Sequence, residues 1–205
     1  MTAEEELAQI AKEVSGCTLC GLHHSRKNAV PGEGPADSSL LFIGEGPGFH
    51  ENEQGRPFVG AAGKFLEDLL ASIDMRREQV FICNVVKCRP PGNRDPLPEE
   101  IEACRPYLDR QIAAIQPKVI ITLGRYSMAR YFGASKISAV HGQARHVDGR
   151  LVVAMFHPAA ALHQPALKQS IEDDFRKLPA LIEQARKQAA SAPTSPPDAK
   201  QLSLF

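Results

Sequence analysis

Four cysteines and a few polar groups at the ends of apolar runs mark where this chain can do chemistry. Cys17 and Cys20 form a C-x2-C pair, while Cys88 and Cys104 arrive from distant parts of the sequence. Two thiolates two residues apart can grip one centre from a tight turn, and two more can complete a tetrahedral set. Such a set suits zinc or an iron–sulfur cluster, and spacing alone does not choose between them. The bland alternative is four buried apolar thiols. It is disfavoured because Cys17 and Cys20 lie in a polar, glycine-containing turn. Cys83 sits inside an apolar run and reads as plain core. Asn84 ends that same run, within Phe81-Ile-Cys-Asn-Val-Val-Lys-Cys-Arg-Pro-Pro91. A side-chain amide donates and accepts at once, so it can read the edge of a nucleobase, or else it turns its own backbone.

Three further groups stand alone until they are combined. Gly44-Glu-Gly-Pro-Gly48 lacks the full pattern of a phosphate loop. Its glycines let backbone approach a flat ligand, with Glu45 at the rim. Phe58, in Gly55-Arg-Pro-Phe-Val-Gly60, is a platform for a planar ring or a plug against a helix. His157, before Pro158, offers a neutral imidazole to an oxygen gaining charge, although a lone histidine is more often structural.

The elements that must position these groups alternate. Leu7, Ile10, Ala11 and Val14 share one face of a helix over 4–14, and Phe65, Leu66, Leu69, Leu70 and Ile73 share a face over 60–73. Pro98 suits the first turn of a helix running to Ile115. Further helices are expected over 125–132 and 165–188. Nearly continuous apolar runs at 39–43, 79–85, 119–123 and 151–156 read as buried parallel strands. The expected fold is therefore three-layer α/β/α around a central four-stranded, mainly parallel sheet. Glu45, Asn84 and His157 all fall just after strand ends, where open α/β sheets hold ligands.

At 205 residues the chain has room for one cored domain, residues 1–188, and a tail. Net charge is zero, so no global field attracts nucleic acid, although a local basic face remains open to it. No apolar run reaches membrane-spanning length, and the acidic start Met1-Thr-Ala-Glu-Glu-Glu6 is no signal peptide. A cytoplasmic monomer is the expectation. Residues 189–200 are a Pro/Ser/Ala linker, and Gln201-Leu-Ser-Leu-Phe205 returns to large apolar groups like a peptide made for a partner's groove.

Taken together, Cys17-Thr-Leu-Cys20, Gly44-Glu-Gly-Pro-Gly48, Gly55-Arg-Pro-Phe-Val-Gly60, Asn84-Val-Val-Lys-Cys-Arg-Pro-Pro91, Cys104 and Phe156-His-Pro-Ala159 closely resemble the family 4 uracil-DNA glycosylases. The resemblance runs over about residues 14–186. It implies a [4Fe-4S] cluster on Cys17, Cys20, Cys88 and Cys104. It implies that Phe58 stacks on a flipped uracil, Asn84 reads its O4 and N3–H, and His157 stabilises charge at O2. Glu45 would orient the attacking water, Gly44 and Gly46 would line the pocket, and Glu51 would block the 5-methyl group of thymine. Phe49-His50 stands where relatives often carry acidic groups, which bears on the aim of Glu51. A flipped base also needs a wedge and phosphate grips. Leu162 is the wedge candidate or else a core leucine at a helix start, and Lys87, Arg89 and Arg94 are candidate grips or else a solvated face. The terminal Gln201, Leu202, Leu204 and Phe205 resemble the pentapeptide by which bacterial proteins dock on the replicative sliding clamp.

Two other classes compete. One is a uracil-DNA binding protein that traps its target covalently through a histidine, for which His141 is the candidate here. The other is a non-enzymatic zinc or iron–sulfur module, which leaves Asn84, Phe58 and His157 unexplained.

Overall fold

The computed structural model describes residues 1–191. The expected clamp peptide, 201–205, and linker residues 192–200 lie outside the described residues. Helix α1 (Ala3–Gly16) opens on a capping box: Thr2 Oγ1 accepts from the Glu5 N–H at 3.2 Å, and the Glu5 carboxylate accepts from the Thr2 N–H at 2.7 Å. Strand β1 (Leu40–Gly44) is followed by α2 (Phe49–Gln54) and α3 (Ala61–Ala71). Then come β2 (Phe81–Asn84), α4 (Pro98–Ile115), β3 (Val119–Leu123), α5 (Arg125–Phe132) and α6 (Ile137–Val140). The hairpin β4 (Ala144–Val147) and β5 (Arg150–Met155) leads into α7 (Ala159–His163) and α8 (Leu167–Ser191).

Among the described residues the sheet has five strands in the order β2-β1-β3-β5-β4. β1, β2, β3 and β5 run parallel, and β4 pairs antiparallel with β5. The expected count of four misses β4. Its sequence, Ala-Arg-His-Val, is polar and its middle residues are exposed, as an edge strand's are. Asp148 and Gly149, both at positive φ, close its two-residue hairpin turn.

Alternate strand residues feed two cores. Phe42, Ile82, Ile121 and Val153 meet Leu66, Leu69 and Leu70 of α3 and Ile171, Phe175 and Leu178 of α8. Leu41, Ile43, Ile120 and Val152 meet Leu108 and Ile112 of α4 and Met128 and Phe132 of α5. Each fully buried Leu, Ile or Phe contributes about 1.5–3 kcal/mol, so both layers hold the strand ends rigidly. α1 packs outside α4, where Arg110 pairs with Glu6 and Glu13. All four parallel strands therefore deliver their carboxyl ends to one edge.

Candidate active site and cysteine cage

That edge holds a cleft of about 450 Å³. Its walls include Glu45 and Gly46 after β1, Asn84 at the end of β2, His157 after β5, and Glu51 and Phe58 from the β1–α3 connection. Five side chains singled out from the sequence (Glu45, Glu51, Phe58, Asn84 and His157) thus share one cavity.

Asn84 is 1% exposed, and its Oδ1 is buried with no partner. An unpaired buried acceptor costs about 1–3 kcal/mol, so the site asks for a donor from a ligand. The backbone beneath is fixed, because the Lys87 ammonium donates to the Asn84 carbonyl at 2.8 Å and to Gln111 Oε1 at 2.6 Å. Gly44 permits the arrangement. A Cβ there would lie 2.4 Å from Asn84 Oδ1 and 2.7 Å from Phe58 Cζ.

The phenyl ring of Phe58 stands 5.4 Å from the His157 ring at an interplanar angle of 24°. Its backbone is in the left-handed region, φ 51°, which a large side chain adopts only when its surroundings impose it. Three partners impose it. Arg77 donates to the carbonyls of Pro57 and Phe58, the latter at 2.8 Å. Glu51 Oε1 accepts from the Val59 and Gly60 N–H groups, each at 2.8 Å, and its Oε2 accepts from the Gly48 N–H at 3.1 Å. Gly63 of α3 leaves room, since a Cβ there would overlap the Phe58 carbonyl at 2.0 Å.

His157 Nδ1 accepts from the Ala159 N–H at 3.1 Å. A neutral ring that accepts at Nδ1 carries its proton on Nε2, so Nε2–H is the donor left for a ligand. Desolvation lowers the His157 pKa to about 4, against a smaller opposing effect of Glu51, and keeps the imidazole neutral. Burial raises the Glu45 carboxyl above its ordinary value, and nearby Asp95 adds to this while Arg125 opposes it.

Cys17, Cys20, Cys88 and Cys104 line one small void between α1, the β2–α4 loop and α4. Among the described residues no group of three or more His, Cys, Asp or Glu side chains converges as a site for a single metal ion. Donors already reach the sulfurs: Arg26 to Cys88 Sγ at 3.3 Å, and the Lys87 N–H to Cys104 Sγ at 3.2 Å. Burial pushes the Cys104 thiol up to about 11 and the Cys88 thiol up as well. Four thiols lining one void, two of them already accepting from N–H donors, suit a thiolate-held metal centre. Cys83 is core, as expected.

One candidate grip is corrected. Lys87 is 1% exposed and its ammonium is spent on Asn84 and Gln111, so it cannot reach a phosphate. Arg94 lines the cleft while pairing with Glu100; Arg89 does not line it but bonds Asn93, which does. Leu162, on α7 beside the cleft, is half exposed. His141 does not line the cleft; its Nδ1 lies 2.6 Å from Asp174 Oδ2. Sequence reasoning missed Arg77 and Gly63, which act on Phe58 only through its backbone and leave no local pattern.

A strand-edge cleft with a buried amide, an aromatic face and a neutral histidine defines a site for a flat, hydrogen-bonding heterocycle. A family model described as the uracil DNA glycosylase superfamily matches residues 31–178, and the chain belongs to that superfamily. Among curated relatives, the type-4 uracil-DNA glycosylase of Archaeoglobus fulgidus is 47% identical over 183 residues, covering 85% of this chain and 92% of the relative. That of Sulfurisphaera tokodaii is 48% identical over 184 residues, covering 85% and 84%. That of Thermotoga maritima is 43% identical over 188 residues, covering 89% and 98%.

Proposed function

We propose that this chain is a monofunctional DNA glycosylase that hydrolyses the N-glycosidic bond of uracil in DNA, releasing the free base and leaving an abasic site for repair. The observation that carries the reading is the buried Asn84 amide, its Oδ1 without a partner, in the wall of the same cleft as Phe58 and His157. Uracil N3–H supplies the missing donor, and the amide N–H₂ of Asn84 answers uracil O4. Cytosine presents an acceptor at N3 and a donor at position 4, so both contacts reverse and the base is refused.

The base is extruded from the stack and lies against Phe58. As the bond to C1′ lengthens, charge collects on the uracil oxygens, and the Nε2–H of His157 donates to O2. A neutral donor needs no proton transfer to do this, and losing one such donor typically costs about 10²–10³ in rate. Glu45, ionised, holds a water against the oxocarbenium-like sugar carbon. Water's oxygen bonds C1′, its proton passes to the carboxylate, and the uracil anion leaves with the bonding pair. Glu51 holds the Phe58 loop and narrows the pocket near the uracil 5-position, against thymine.

The four cysteines would hold a [4Fe-4S] cluster whose role when bound is to cross-link α1, the loop after Asn84, and α4. Iron and sulfide analysis of purified protein, with loss of both in Cys104→Ser, tests that assignment; zinc alone would sink it. Arg89 and Arg94 are the proposed phosphate contacts and Leu162 the wedge. Free cysteines suit a reducing cytoplasm, where the enzyme would work as a monomer. Residues 201–205 are the proposed sliding-clamp ligand. Their deletion should abolish clamp binding and leave activity on free oligonucleotides intact, and undiminished clamp affinity would remove the idea.

The test of the main reading uses a labelled oligonucleotide with one uracil, then alkali and a denaturing gel without prior boiling. Alkali-dependent cleavage at uracil, absent with thymine or cytosine, is expected. A retarded band without cleavage would mean covalent capture instead.

A further inference from the structure

Next in the chain to the cleft-lining Gly48 stands an aromatic side chain that the uracil site does not use. Phe49, the first residue of α2, is 53% exposed, whereas Phe58 is buried. Its neighbour Gly48 lines the cleft. The Arg89 guanidinium lies over the Phe49 ring, 5.3 Å from its centroid. Arg89 is itself tethered, its Nε donating to Asn93 Oδ1 at 2.7 Å, and both Asn93 and Pro90 line the cleft. His50 meets the Phe49 ring edge-on at 5.4 Å, which limits its rotation.

A half-open phenyl ring backed by a fixed cation has the two components of a single-strand nucleic-acid site. The ring offers a face to any base, and the guanidinium offers charge to the backbone beside it. An exposed side chain of this kind is common by itself; what sets this one apart is the cation over its ring and the adjoining pocket, shaped for an extruded base. Continuity with the cleft and the positive charge both select nucleic acid as the occupant.

We propose that Phe49 and Arg89 form a stacking subsite for the base next to the extruded uracil on the same strand. The subsite rests on the uracil-glycosylase reading, because its occupant is that strand. It would favour substrates in which the neighbouring base is free to unstack, namely single strands and frayed or mismatched duplexes. Stacking on an aromatic side chain is sequence-tolerant, so little preference among neighbouring bases follows.

The experiment is a coupling cycle on single-stranded oligonucleotides carrying 2′-fluorinated, hence uncleavable, deoxyuridine. The flanking base on each side in turn is replaced by an abasic tetrahydrofuran, and affinity is read by fluorescence anisotropy. In the natural sequence, the replacement on one side should weaken binding on the order of tenfold. Phe49→Ala should lose the same factor with the intact strand and nothing more with the abasic flank. Phe49→Trp should keep the full affinity. Because Phe49 is exposed, thermal midpoints are expected to match, so the affinities compare folded proteins. Equal losses of Phe49→Ala on both strands, or no loss on either, would overturn the subsite. The same preparations are assayed on cleavable uracil. Release of uracil without coupling would sink the subsite alone, whereas coupling without release would sink the hydrolase reading alone.

Discussion

Arg77→Ala should detach the loop that holds Phe58, with consequences that can be sized from the structure. The Arg77 side chain is 10% exposed and donates to the carbonyls of Pro57 and Phe58. Glu33 and Glu67, each 3.5 Å away, hold the guanidinium in place. Hydrogen bonds from charged groups contribute about 1.5–3 kcal/mol each, and removal leaves two carbonyls to find water. The positive φ of Phe58 releases on the order of 1 kcal/mol once the loop relaxes, which favours escape. A net loss of about 3 kcal/mol corresponds to a fall of roughly 6–12 °C in Tm for a domain of this size. The ring then loses its fixed place, and stacking on the base forms at an entropic cost. In the proposed mechanism the stack is equally present in ground and transition states, so the loss should appear mainly in KM, with kcat/KM down about tenfold. Kinetics well below both melting midpoints separate this from unfolding. Arg77→Lys, able to serve one carbonyl, should fall between. A lowered Tm with unchanged KM would make Arg77 a stability residue only, and no change in either would refute the argument.

Other perturbations probe the remaining contacts. Gly44→Ala drives a Cβ to 2.4 Å from Asn84 Oδ1 and 2.7 Å from the Phe58 ring; uracil release should fall by more than 10²-fold while the protein stays folded, and near-normal turnover would show the pocket floor to be soft. The acid limb of kcat/KM should belong to Glu45. Its pKa is raised by burial, so activity is lost as pH falls through a value above that of an ordinary glutamate. His157, neutral down to about pH 4, adds no limb between pH 5 and 8; an acid limb that survives in the residual activity of Glu45→Gln would contradict the assignment. Stability carries the opposite signature of His157. The unfolded chain takes up its proton near pH 6.5 and the native one only near pH 4, so stability should rise with pH across that window, and His157→Gln should flatten the rise. Lys87→Met should lower Tm yet leave the salt dependence of DNA binding unchanged, whereas Arg89→Gln should reduce that slope.

The difference between Lys87 and Asn84 explains what the sequence could disclose. Asn84 announced itself because a polar amide interrupts an apolar strand at its carboxyl end, and both signals are local. Glu45 and His157 were legible for the same reason, since the strands that carry them, β1 and β5, are continuous apolar runs. The same logic fails for β4, whose exposed arginine and histidine look like loop. Lys87 sits in an equally readable stretch, but which way it points is decided by Gln111, twenty-four residues later on α4. A lysine beside two arginines looks basic in one dimension, while the fold turns it inward to fix the Asn84 carbonyl. Arg77 is less legible still, because the groups it serves are backbone carbonyls of Pro57 and Phe58, which every residue possesses. Groups that meet a ligand are chosen by type and so leave a trace in composition. Groups that hold those side chains still are chosen by position, and only the folded chain supplies it.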